Sequence, residues 1–137
     1  MAIYTELDIF DATRDLTLLI ERYVGKMKRN YRATLGADLR RDCRRIVRRI
    51  YQANAAVGHG KSRDEALAAS KQRIKAIGRM RVHVEMINLA LYEARELEEI
   101  SKGEYARGVE LTQRIGKQAS GWLNSSESAL VSLSSRH

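Results

Sequence analysis

The sequence predicts an all-α protein: an up-down-up-down antiparallel four-helix bundle with a long third helix. Three observations carry this. None of the 137 residues is proline, so nothing forces a helix to stop. Apolar residues recur at spacings of three and four in four separate segments, the signature of amphipathic helices. Two of those segments open on Ser-x-x-Glu, a capping signature, and glycines mark a further boundary. Amphipathic helices joined by short connections fold back on one another. Residues 1–124 read as the bundle, and 125–137 as a serine-rich C-terminal tail that frays.

The first helix is expected over about residues 8–27, with Ile9, Leu16, Ile20, Tyr23, Val24 and Met27 on one stripe. Leu18 and Leu19 widen its apolar surface, which suits either a broad core face or a subunit contact. "KMKRNYRATLG", residues 26–36, breaks the pattern with charge, Asn30 and Gly36, and reads as a connection. The second helix is expected from about 35 to 57, with Leu35, Leu39, Cys43, Ile46, Ile50, Ala53 and Val57 on one face. Cys43, the only cysteine, lies on that face and reads as a buried structural thiol.

"VGHGK", with Gly58 and Gly60, ends the second helix. Ser62 and Glu65 open the third, expected to run to about residue 100 with Leu67, Ile74, Ile77, Val84, Ile87, Leu91 and Ala94 on its stripe. Gly78 inside it marks a bend or a close helix approach. Ser101 and Glu104 open the fourth helix, expected through Trp122 and Leu123 with Val109, Leu111, Ile115 and Ala119 on its core face.

Composition bounds the function. The net charge is +8 and the pI about 9.9, which attracts polyanions. One cysteine excludes a disulfide framework. The longest apolar run, "LTLLI" at 16–20, is too short to span a bilayer. Nothing resembles a secretory signal. A cytoplasmic protein without a membrane role is expected.

The charge concentrates in "LRRDCRRIVRRIYQAN", residues 39–54. Six arginines fall in ten positions: Arg40, Arg41, Arg44, Arg45, Arg48 and Arg49. On a helix they make two adjacent ridges opposite the apolar face. Like charges at i and i+4 oppose helix formation by roughly 0.2–0.5 kcal/mol per pair, so the segment carries on the order of 1–2 kcal/mol of repulsion. Mixed signs would keep a surface soluble without that cost. Two readings follow: a surface for a polyanion or an acidic partner, or a face neutralised across subunits by acids such as Glu93, Glu96, Glu98 and Glu99. Arginine favours phosphate, which its planar fork binds bidentately. Lys26, Lys28, Arg29 and Arg32 in the preceding connection would extend such a patch. No aromatic side chains interleave with it, so base stacking is not indicated. Binding should be backbone-driven and weakly sequence-specific.

Catalytic patterns are missing. No Glu-x-x-His pair suits a di-metal bundle site, and neither a Gly-rich phosphate loop nor a nucleophile elbow occurs. Arg79 and His83 in "RMRVH" fall one residue short of the spacing found in helical ribonucleases. Arg81 sits at the core edge of the third helix and reads as an ion-pair partner within the bundle. No catalytic residue, metal or cofactor is expected.

"MKRNYRATLGADLRRDCRRIVRRIYQAN", followed by "GKQASGWLNSS", resembles the Avd family, the accessory variability determinants of diversity-generating retroelements. That family is related to four-helix-bundle proteins encoded within ribosomal-RNA intervening sequences. The "YRATLG" turn, "IYQAN" and the "GW" near the end of the fourth helix carry the resemblance, which spans about Leu7 to Ser125. Relatives often have proline near Lys28, and this chain has none. The resemblance implies a non-enzymatic partner of a retroelement reverse transcriptase. Such a partner supports mutagenic copying of a template-repeat RNA into cDNA. It also implies a homopentameric ring. The alternative is a structural bundle associated with ribosomal-RNA intervening sequences, with no reverse-transcriptase partner.

Overall fold

A computed structural model describes residues 7–56 and 62–135, and all regular structure within them is helical. Four helices dominate: α1 (Asp8–Gly25), α2 (Ala37–Ala55), α3 (Arg63–Glu96) and α4 (Lys102–Ser134). The loop with Gly58, His59 and Gly60, and the predicted core position Val57, lie outside the described residues.

α1 packs against α2 and α4, and α3 packs against the same two helices. One continuous core fills the space between them, with Leu16, Ile20, Leu39, Ile46, Ile50, Ile77, Met80, Ile87, Leu91 and Ile115 fully buried. Each such side chain contributes about 1.5–3 kcal/mol by leaving water. The predicted stripes of α1 and α2 are buried at every described position. On α3 the core takes Ile77, Val84, Ile87, Leu91 and Ala94, whereas Leu67 and Ile74 are only half-buried. On α4, Val109, Trp122 and Leu123 are half-buried, and the last two pack on the core's edge.

Three features differ from the sequence expectation. Residues 26–36 are not a loop. After Lys26, Met27 and Lys28 the chain forms one α-helical turn (Arg29–Tyr31), then a π-helical turn (Arg32–Gly36) that runs straight into α2. Gly36 keeps right-handed helical angles. Its function is closeness: a Cβ there would meet Val24 Cγ1 at 2.7 Å, so glycine lets this turn lie against α1.

Second, Gly78 is not a close-approach site, since a Cβ there meets nothing within 4 Å. The tight α3–α4 approach is at Gly108, where a Cβ would meet Leu91 Cδ1 at 2.8 Å.

Third, α4 does not end near Leu123 but continues through Ser134, so residues 125–134 of the tail expected to fray are helical. No proline or glycine stops it. Ser126 is buried, and the Arg63 guanidinium at the start of α3 donates to the carbonyls of Leu133 and Ser134. These carbonyls lack intrahelical partners, so a cation there suits the helix end.

The caps follow the sequence. Ser101 and Glu104 form a complete capping box. The Ser101 hydroxyl accepts from Glu104 N–H at 3.1 Å, and Ser101 N–H donates to the Glu104 carboxylate at 2.9 Å. At α3 only half of the box forms: Ser62 accepts from Glu65 N–H, and the Glu65 carboxylate takes the Ser62 hydroxyl rather than its backbone. α3 ends where Glu98 turns left-handed, at φ 59°. The N–H groups of Glu98 and Glu99 then close on the Arg95 and Ala94 carbonyls. This is the usual helix-terminating pair of bonds, made here without the customary glycine.

Candidate nucleic-acid interface

The buried face of α2 (Leu39, Cys43, Ile46, Ile50, Ala53) anchors the helix, and the six arginines ride on its outer arc. Their environments differ. Arg40 reaches α1 and donates from Nε and Nη2 to both carboxylate oxygens of Glu21, at 2.9 and 3.0 Å. Arg41 pairs with Asp38 one turn back, at 3.0 Å. Arg49 is half-buried beside α3 and donates to Gln52 Oε1 at 2.9 Å. Burial, then the Arg79, Arg48 and Arg45 cations, push the Arg49 guanidinium below its ordinary range. It stays charged at neutral pH all the same.

Arg44, Arg45 and Arg48 are exposed and have no acidic partner among the described residues. With Ala37, Arg40 and Arg41 they line an open groove to which no carboxylate among the described residues contributes.

The connection residues sit differently. The Lys26 ammonium pairs with the Glu104 carboxylate. That carboxylate also closes the capping box, and the backbone carbonyl of Glu104 takes the Tyr23 hydroxyl at 2.8 Å. Burial pushes the Glu104 carboxyl up, but the hydrogen bonds from Lys26 and Ser101 outweigh it and hold the group below its usual range. Lys28 N–H donates to Glu99 Oε1 at 2.6 Å. Lys28, Arg29 and Arg32 are exposed. Lys26 is therefore engaged at the α1–α4 junction, facing Glu98, Glu99 and Glu104 rather than the arginine groove.

One buried polar pair ties the arginine helix to α3. His83 Nδ1 lies 3.2 Å from Asp42 Oδ1. Asp42 is buried, so the neutral ring donating from Nδ1 satisfies its carboxylate. Burial pushes the His83 pKa down, the Asp42 hydrogen bond and charge pull it up, and Arg49 and Arg45 push it down again. The net position is below the ordinary value. The pair is a structural stitch beside the arginines, on the wall of a second groove that includes Arg41, Arg45 and Met86. Cys43 is buried, and burial pushes its thiol up to about 12, as a structural cysteine requires.

Sequence reasoning missed the contribution of α3. Arg79 stands close enough to Arg49 to disfavour its charge, and Lys75 and Arg79 line a further groove with Tyr51. Arg81, expected within an intrabundle ion pair, is exposed and takes part in none of the described pairs. Among the described residues, no group of three His, Cys, Asp or Glu is placed to hold a metal, and no helix is long and apolar enough to cross a membrane.

Fold and site together define a basic helical bundle with cation-lined grooves on its second helix. Compared with known proteins, the chain gives no significant match to any family model, curated protein or solved structure.

Proposed function

We propose that the protein is a non-enzymatic accessory factor that binds nucleic acid and a retroelement reverse transcriptase. In this role it supports mutagenic copying of a template-repeat RNA into cDNA. The observation that carries the reading is the groove of Arg44, Arg45 and Arg48, three exposed guanidiniums with no acidic partner among the described residues. Unpaired arginines held at helical spacing on a rigid face suit phosphate oxygens and read no bases. The resemblance of the "YRATLG", "IYQAN" and "GW" segments supplies the particular polyanion and the enzyme partner.

The four helices would run up-down-up-down, with α3 as the long third member. Two hydrogen bonds support this. Tyr23 near the end of α1 meets Glu104 near the start of α4, and Arg73 early in α3 donates to the Ala53 carbonyl late in α2. Assembly into a homopentamer would use exposed apolar side chains. Leu18 on α1 is one, but the larger strip is on α3, where Val82, Met86 and Leu89 lie at helical spacing and are about half exposed. Such strips mark association surfaces. A cytoplasmic location fits this role.

A second reading has its own support. Arg40–Glu21 and Arg41–Asp38 are internal ion pairs, as a self-compensated structural bundle without a reverse-transcriptase partner would have. Co-expression with a reverse transcriptase encoded beside this gene separates the two. Co-purification at a fixed stoichiometry supports the first, and no association, with no nucleic-acid binding, supports the second.

A further inference from the structure

We propose that the groove at the C-terminal end of α2 is a base-stacking subsite for single-stranded nucleic acid. Tyr51 is its platform, and Lys75 and Arg79 are its phosphate-binding cations. The inference rests on the nucleic-acid reading above and adds a specific interaction to it.

Tyr51 follows Arg48 by three residues, so it lies on the same side of α2, one turn further on. The residue is 55% exposed although its side chain is large and mostly apolar. It borders an open groove of about 430 Å³ between the end of α2 and the first half of α3. The opposite wall is Gln72, Lys75, Ala76 and Arg79, and no carboxylate among the described residues lines the site.

The chemistry of that lining is selective. Lys75 and Arg79 stand one turn apart on α3 and both line the groove, so their like charges repel. An anion placed between them relieves that repulsion, and no lining residue among those described supplies one. An exposed aromatic ring beside cations is the pairing that holds a base by its face and its phosphate by charge. The small Ala76 leaves room against the ring, and the Gln72 amide can both donate and accept toward a base edge. A duplex hides its base faces within the stack, whereas a single strand offers them. The site therefore fits a single strand, continuing the arginine groove that holds the backbone upstream.

Fluorescence anisotropy on the full chain tests this with two labelled probes, a twelve-nucleotide oligothymidylate and an abasic strand of equal length and charge. The wild type should bind the base-bearing strand roughly five- to 150-fold more tightly, the range for one stacked base. Tyr51→Ala should drop to the abasic level while keeping the salt dependence of the wild type. Tyr51→Phe should retain the preference, because stacking needs the ring and not the hydroxyl. Equal affinity of the wild type for both strands, or no effect of Tyr51→Ala, overturns the stacking site and leaves the backbone reading standing. If the wild type binds neither strand, the nucleic-acid reading itself fails. If Tyr51→Ala keeps its strand affinity but sheds the reverse transcriptase, the groove docks protein and the proposal is wrong. Circular dichroism melting of each variant excludes a folding defect, since loss of binding together with a lowered melting point would make Tyr51 structural.

Discussion

Lys26 and Arg44 belong to two basic stretches, 26–32 and 40–49, that look alike in sequence and differ in what surrounds them. The first follows the end of α1 and faces the acidic turn between α3 and α4. There Lys26 is held by Glu104, and the Lys28 backbone by Glu99. The second lies on the outer arc of α2, where Arg44, Arg45 and Arg48 form no ion pair among the described residues. Net charge counts both equally. Only the fold decides which cations are engaged in holding the bundle together and which remain for a partner.

The most disruptive way to break this comparison is to remove the support that both stretches share. Ile50 is fully buried, and Ile50→Asp would place an unpaired carboxylate in the core. That costs several kcal/mol, a large fraction of a domain's stability. The variant should lose its cooperative melting transition and its binding together, and a soluble, native-sized Ile50→Asp protein would contradict the core assignment.

A smaller change sharpens the contrast. Glu104→Ala removes half of the capping box and the Lys26 partner, and should cost about 1 kcal/mol. A urea midpoint would register this, while nucleic-acid affinity should hold or rise slightly, since a cation is released. A large loss of affinity with unchanged stability would mean that the junction is part of the binding surface.

The smallest expected effect concerns pH. His83 has a folded pKa below its unfolded value, so the unfolded chain takes up a proton first as the pH drops. Stability should therefore fall as pH decreases from about 6.5, the unfolded value, toward the folded value, and be fully present above that window. Comparing melting points of the wild type and His83→Gln across this range isolates the effect. Curves that stay parallel would remove His83 from the account.

Legibility varies along the chain for physical reasons. α1 and α2 each carry one apolar stripe, and every described member of it is buried. α3 carries two, the core stripe and the exposed Val82, Met86 and Leu89, which blurs a single period. A one-stripe reading accordingly places Ile74 too deep and overlooks Met80. Gly36 reads as a break because glycine usually is one, whereas its role is closeness to Val24, a tertiary fact. Serine content suggests an early end to α4, but propensity is weak beside the Arg63 hydrogen bonds that hold the Leu133 and Ser134 carbonyls. In the site, the arginine run is plain. Glu21 as the partner of Arg40 is not, because it comes from another helix. Tyr51 lies one turn beyond Arg48, but a single aromatic after the run does not read as interleaving, so stacking there is not indicated by sequence alone. Lys75 and Arg79 join the site only once α2 and α3 are packed together.

The outer arc of α2 offers its charge to a polyanion, whereas Lys26, held by Glu104, does not. The salt dependence of oligonucleotide affinity measures this directly. Arg44→Glu combined with Arg48→Glu should flatten the slope of log affinity against log salt by about 0.7–0.9 for each phosphate that is no longer neutralised. Both side chains are exposed, and the exchange relieves like-charge repulsion on the helix, so the melting point should hold. Lys26→Gln should leave the slope at its wild-type value. An unchanged slope in the double variant, or a flattened one in Lys26→Gln, would contradict the account.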